Sequence, residues 1–133
     1  MDSTTAELIR SYLSKAKEKQ ASSKKLLQER FFDDAVSRAY YAAFLAAQGA
    51  LLSEGQRAET HKGLVTLFGL LFVKSGKIDR RFGKYLSNLK DDREAGDYEA
   101  ISWIDEETAR SAVREAEEFC AAVEGYLKKA GIL

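Results

Sequence analysis

The stretch that most constrains the fold is an alanine-rich segment, Phe31 to Leu52, which reads FFDDAVSRAYYAAFLAAQGALL. At helical spacing its small residues form one stripe and its bulkier residues form a second stripe beside it. The small stripe consists of Ala35, Ala39, Ala42, Ala43, Ala46 and Ala50, and the bulky stripe of Val36, Tyr40, Phe44, Ala47 and Leu51. A helix that is apolar over most of its circumference is typical of a helix surrounded by others. The segment therefore predicts the central helix of a bundle.

The remaining sequence also predicts helices with short connections. The 133 residues include no proline and only nine glycines, and long runs between them are rich in helix-forming residues. The predicted helix ends are a cap at Thr4 or Thr5, an end near Glu29, a stop at Gly55, a cap at Thr60, a stop at Gly76, caps at Asp79 and Asp105, and an end of the fourth helix between Arg93 and Gly96. We expect an all-α, antiparallel up-down bundle of about five helices, forming a single domain over residues 1–133.

Two further features concern the end of the chain. Ile101, Trp103 and Ile104 are too apolar for a solvated loop, so we expect this loop to fold back on the bundle. The last helix has apolar residues repeating at alternating intervals of three and four, and Cys120 lies in that stripe. A lone cysteine in an apolar stripe indicates a buried structural thiol in a reducing compartment.

Composition excludes several classes of function. The 21 basic and 21 acidic residues cancel, so bulk charge gives no sign of nucleic-acid binding. One histidine and one cysteine cannot supply a zinc site, and no glycine-rich phosphate loop follows a strand, so we expect no metal and no cofactor. The longest apolar run is interrupted by Ser37, Arg38 and Gln48, and the N-terminus has no unbroken apolar core. We therefore expect a cytoplasmic protein without a membrane span.

The central helix carries the first candidate ligand-binding residues, Arg38, Tyr40 and Tyr41. A buried arginine must be paired, and Asp34 stands four residues before Arg38, which suits an ion pair on one helix face. Two interpretations remain open for Arg38: a buried structural salt bridge with Asp34, or a ligand-binding guanidinium.

The other candidates are His61, Arg93, Asp97 and Tyr98. His61 is in the first turn of the third helix, where an imidazole could help to hold a phosphate or simply bond a backbone carbonyl. Arg93 and Tyr98 could meet phosphate or base, or an Arg93–Asp97 pair could only staple the loop. Arg93, Asp97 and His61 are the candidate catalytic residues.

Three blocks of the sequence together resemble the HEPN domain proteins. The blocks are SRAYYAAFLAAQGALL (37–52), THKGLVTLFGLLFVKSGKI (60–78) and REAGDY (93–98). The resemblance is greatest to short single-domain members that are often encoded beside a small nucleotidyltransferase, and it implies an up-down helical bundle that forms homodimers. Many members are metal-independent ribonucleases of toxin–antitoxin systems. Their arginine and a histidine four to six residues later act on the phosphate.

This chain departs from that arginine–histidine pattern. From Arg38, six intervening residues lead to Leu45, where a histidine would be needed, and from Arg93 the histidine position is occupied by Asp97 or Tyr98. Our first hypothesis is therefore a homodimeric nucleotide- or RNA-phosphate-binding module that partners a nucleotidyltransferase, with Tyr98 as an alternative target for nucleotide addition. The second is a metal-independent ribonuclease that uses Arg93, Asp97 and His61 in trans. The third is a purely structural interaction module.

Overall fold

A computed structural model describes residues 2–98, 100–101 and 104–133, and this part of the chain forms five helices and no strand. The helices are α1 (Ser3–Gln28), α2 (Phe32–Ser53), α3 (His61–Phe68), α4 (Arg80–Tyr98) and α5 (Glu106–Lys129). A single π-helical turn, Gly69–Val73, continues α3. The all-α bundle predicted from the sequence is confirmed.

The alanine-rich helix α2 lies at the centre, in contact with each of the other four helices. All six alanines of its small stripe are fully buried, as are Val36, Tyr40 and Leu51. Small side chains let helix axes approach closely. Gly49 shows how close α1 comes, since a Cβ placed there would lie 3.7 Å from Leu13 Cδ2. Each large apolar side chain buried around α2 stabilises the fold by about 1.5–3 kcal/mol.

Most helix ends follow the predicted capping residues. Thr60 and Asp105 accept hydrogen bonds from the backbone N–H groups of Gly63 and Thr108. Gly55 has φ of +69°, the left-handed conformation that follows a helix end without strain in glycine. The cap of α1 is Asp2, whose side chain accepts from the backbone N–H of Thr5, so the prediction of Thr4 or Thr5 was wrong.

The predicted end of α4 was also wrong, because the helix continues through Gly96 to Tyr98. A Cβ at Gly96 would lie 2.7 Å from Ile104 Cδ1 and 3.6 Å from Asp33 Cα. Glycine therefore occupies this position because neighbouring groups come close, and it does not terminate the helix. As a result, Arg93 and Asp97 lie one turn apart on the same helix.

The apolar residues predicted to fold back after α4 differ in their burial. Ile104 is buried, as expected, whereas Ile101 is 68% exposed, and Trp103 lies outside the described residues. The apolar stripe of α5 is buried against the bundle and includes Cys120. Burial raises the pKa of the Cys120 thiol to about 12, which keeps it protonated and unreactive at neutral pH. No helix in the described ranges is long and apolar enough to cross a membrane.

Candidate functional site

Arg93 is the buried guanidinium of this protein. It lies on α4 with 5% of its surface exposed, and its Nη1 donates a 2.9 Å hydrogen bond to Tyr41 Oη on α2. Its Cζ lies 5.3–5.4 Å from the ring centres of Tyr40, Tyr41 and Tyr98. Aromatic faces attract a cation at this distance. We call this group the tyrosine cage: Arg93 with Tyr40, Tyr41 and Tyr98.

The charge of Arg93 is only partly compensated within the described residues. The Asp97 carboxylate lies 3.6 Å from Nη1, longer than a charge-assisted hydrogen bond, and it also accepts from Ser37 Oγ at 3.3 Å. The Nε atom of Arg93 is buried and has no hydrogen-bond partner in the described part of the chain. An unsatisfied buried donor costs about 1–3 kcal/mol. The guanidinium therefore keeps one donor that no residue of the described chain uses.

Electrostatics keep this guanidinium charged. Burial lowers the pKa of Arg93, but the phenols of Tyr41 and Tyr98 and the carboxylate of Asp97 raise it to a net value above the ordinary one. Burial raises the pKa of the Tyr40 phenol, and the charge of Arg93 only partly opposes that rise. The cage thus holds one fixed positive charge at physiological pH, beside a Tyr40 phenol that stays protonated.

His61 reaches the same cage from the start of α3. Its Nδ1 lies 2.7 Å from Tyr40 Oη, and its ring centre lies 5.1 Å from that of Phe44. Burial, Arg93 and Lys90 lower the pKa of His61, while Glu94 opposes them. A neutral His61 with its proton on Nε2 accepts the hydrogen bond from the Tyr40 phenol.

A buried glutamine sets the position of His61. Gln48 on α2 is 5% exposed; its Nε2 donates to the Ala58 carbonyl, and its Oε1 accepts from the Ala58 N–H. This two-way bond fixes the 54–60 loop just before the Thr60 cap. The first residue of α3 is thereby held against the aromatic face of α2.

Arg38 is the predicted site residue that the structure places differently. It is exposed, as is Asp34, and the two form no ion pair. The interpretation of Arg38 as a buried arginine paired with Asp34 was therefore wrong. Its side chain lines a surface groove beside Tyr41, and no carboxylate lines that groove.

Sequence reasoning missed two members of the site, Ser37 and Phe44. Ser37 bonds Asp97, and Phe44 packs beside His61. Both could have been found from helical spacing, because Phe44 is four residues after Tyr40 and Ser37 is four residues before Tyr41. In the described residues no group of three or more His, Cys, Asp or Glu side chains could hold a metal ion.

Comparison with known proteins agrees with this architecture. A model of the HEPN domain matches residues 9–126. The chain belongs to the HEPN domain family. A UPF0332 protein of Thermotoga maritima is 32% identical over 122 residues, which is 92% of each chain. A Methanocaldococcus jannaschii protein designated "Putative toxin MJ0605" is 33% identical over 123 residues, covering 92% of this chain and 91% of that protein.

A solved structure shares the fold of this HEPN protein. The crystal structure of TT1696 from Thermus thermophilus superposes with a TM-score of 0.76, covering 90% of this chain and 98% of that one, at 21% identity. In the present chain His61 begins α3 and therefore comes before Arg93, which lies on α4. It thus lies outside the spacing that the resemblance implies, in which the histidine follows the arginine by a few residues. Folding nevertheless brings it to the tyrosine cage.

Proposed function

We propose that this HEPN protein binds an RNA or nucleotide phosphate at the tyrosine cage, as a module of a toxin–antitoxin-like system. The observation that carries the proposal is Arg93, a buried guanidinium whose Nε has no partner in the described chain. Guanidinium groups match phosphate oxygens with paired donors, and a fixed, partly desolvated guanidinium binds more strongly than a mobile surface one. Tyr98 is 72% exposed and covers Arg93 on the solvent side, so an entering phosphate would displace its ring.

The toxin-like designation of relatives supports the biological setting. Two Methanocaldococcus jannaschii relatives are named "Putative toxin MJ0605" and "Putative toxin MJ0142". We further propose that the protein acts as a homodimer and with a small nucleotidyltransferase, as the family resemblance implies. Tyr98 is the exposed phenol available to such a partner. Copurification of the two proteins when their genes are expressed together tests this part.

A binding experiment tests the phosphate site. Arg93→Lys keeps the charge but removes the planar fork, so we expect affinity for a short 5′-phosphorylated RNA to fall about tenfold or more. Arg114→Lys is the matched control, because Arg114 is an exposed arginine paired with Glu118 on α5. Fluorescence anisotropy gives the affinity, and circular dichroism verifies folding of each variant. Equal loss in both variants, or in neither, contradicts the proposal.

A second candidate function is metal-independent RNA cleavage, and one observation favours it. His61 is neutral by its lowered pKa and lies in the same cluster as Arg93 within one chain. With Nδ1 accepting from Tyr40, the neutral imidazole can donate only through its Nε2–H, so in metal-independent cleavage it would donate to the 5′-oxygen that leaves as a ribose 2′-hydroxyl attacks the phosphorus bound by Arg93. Asp97 is less suited to this role, because its carboxylate already contacts Ser37 and Arg93.

Labelled RNA incubated in EDTA separates the two functions. Cleavage that is lost in His61→Gln and Arg93→Lys but retained in Arg114→Lys would establish the ribonuclease. Binding without cleavage at any protein concentration would support the binding module and contradict the ribonuclease. A purely structural module predicts neither binding nor cleavage.

A further inference from the structure

A groove between α1 and α2 lies directly beside the tyrosine cage. It has a volume of about 280 Å³ and is lined by Lys15, Lys19, Arg38, Tyr41, Phe44 and Leu45. This is slightly below the roughly 300–1,000 Å³ of enclosed small-molecule sites. The groove is therefore suited to one segment of an elongated ligand that crosses the surface.

The lining carries three cations and no carboxylate. Lys15, Lys19 and Arg38 form no ion pair or hydrogen bond with the described part of the chain. On the α5-facing side of the same helix the lysines are paired: Lys17 with Glu124 and Lys24 with Glu117. Three cations without a partner in the described part of the chain therefore meet in this groove.

Two aromatic residues join the groove to the cage. Tyr41 lines the groove and accepts the hydrogen bond from Arg93 Nη1. Phe44 also lines it and packs against His61. A ligand lying in the groove would therefore extend along one continuous surface from the buried guanidinium to the three groove cations.

We propose that single-stranded RNA crosses this groove, with its phosphates bound by Lys15, Lys19 and Arg38 and a base stacked on Phe44. The inference rests on the proposed binding of RNA phosphate at Arg93 and extends it along the strand. A row of cations beside an aromatic ring is the combination that binds single strands, whereas the bases of a duplex are stacked on each other and cannot reach the ring.

A charge-neutralising triple variant, Lys15→Gln, Lys19→Gln and Arg38→Gln, tests the groove. The matched control is Lys74→Gln, Arg80→Gln and Lys84→Gln, which removes two exposed lysines and one exposed arginine outside the groove. Anisotropy with a labelled RNA of about ten nucleotides is measured at several salt concentrations in EDTA. Each lost phosphate contact lowers the slope of log K against log salt by about 0.7, so the groove triple should lose about 2 from the slope. Affinity should then fall about 100-fold near 0.1 M salt and converge with wild type near 1 M.

The outcomes separate this inference from the phosphate site. If the groove triple variant binds RNA as tightly as the control triple variant, the proposed groove site is overturned. The proposed phosphate site at Arg93 is then still tested separately by Arg93→Lys. Loss in the groove triple with no loss in Arg93→Lys supports the groove and contradicts the proposed role of Arg93. Absence of RNA binding by the wild-type protein overturns both.

Two further measurements test whether the ligand is single-stranded RNA with a base stacked on Phe44. Phe44→Leu should weaken single-stranded RNA binding about tenfold while leaving the salt slope unchanged, since it removes a stacking face and no charge. Equal affinity for a duplex of the same length would overturn the single-strand assignment. If the groove triple instead becomes monomeric in analytical ultracentrifugation and binds RNA normally, the face is an interface between copies of this chain and the proposal is overturned.

Discussion

Arg38 on α2 and Arg93 on α4 both lie near Tyr41, and their surroundings are opposite. Arg93 is 5% exposed and fixed among three rings, a hydroxyl and a carboxylate. Arg38 is exposed in a groove that holds other cations and no acid. The difference teaches that a buried charge requires partners from several helices, and an apolar helix alone does not bury its arginine. One arginine is preorganised, and the other is an exposed surface charge.

The largest expected effect comes from Arg93→Ala. Removal of this side chain leaves Asp97 without its cation, opens space among three rings and removes a hydrogen bond to Tyr41, so we expect a loss of about 3 kcal/mol in the free energy of unfolding. Urea denaturation followed by circular dichroism measures it. A loss below about 0.5 kcal/mol would mean that the cage contributes no more than surface residues do.

A smaller loss is expected for Tyr41→Phe. The variant removes only the hydroxyl that accepts the bond from Arg93 Nη1, and a hydrogen bond to a charged group contributes about 1.5–3 kcal/mol. In the Arg93→Ala background the same change should cost much less, because the donor is already absent. Additive losses in this double-variant cycle would contradict a direct bond between the two side chains.

Arg38→Ala should change the free energy of unfolding by no more than about 0.5 kcal/mol. The side chain has no ion pair within the described chain, so its removal leaves nothing unsatisfied. The same denaturation series measures it beside Arg93→Ala. A loss near that of Arg93→Ala would restore the sequence-based interpretation of Arg38 as a buried, paired charge.

The smallest effect is a pH dependence from His61. Its pKa is lowered in the folded protein, so the unfolded chain binds more protons just below the ordinary value of 6.5. Stability from this residue is full above pH 6.5 and decreases as the pH falls through that value toward the folded pKa. Wild type should therefore lose more stability than His61→Gln between about pH 7.5 and 5.5. Parallel curves would contradict the burial of His61 beside Arg93.

Local signals in the sequence predicted much of the fold. The Thr60 and Asp105 caps, the turn at Gly55 and the buried stripe of α2 depend on neighbouring residues and on helical spacing, which a sequence displays directly. Gly96 could not be interpreted in this way. A glycine that ends a helix and a glycine that admits Ile104 look alike in a sequence, so α4 was predicted to end too early.

The candidate site was predictable in composition but not in arrangement. Arg93, Tyr98 and the α2 tyrosines were identified from the sequence as candidates. The position of His61 depends on the loop that Gln48 fixes through Ala58, a contact between residues ten apart that no periodicity reveals. Which arginine is buried depends on how α4 packs on α2, and that is a property of the assembled bundle.

The central claim is that Arg93 holds a charged guanidinium with a free Nε–H inside the cage, ready for a phosphate. Nuclear magnetic resonance of arginine Nε–H groups observes this proton directly during titration with a short 5′-phosphorylated RNA. The account predicts a slowly exchanging Arg93 signal that shifts and saturates, while the signal of Arg114 on α5 stays in place. An Arg93 signal that exchanges rapidly with water, or that does not shift while RNA binds elsewhere, would contradict the account.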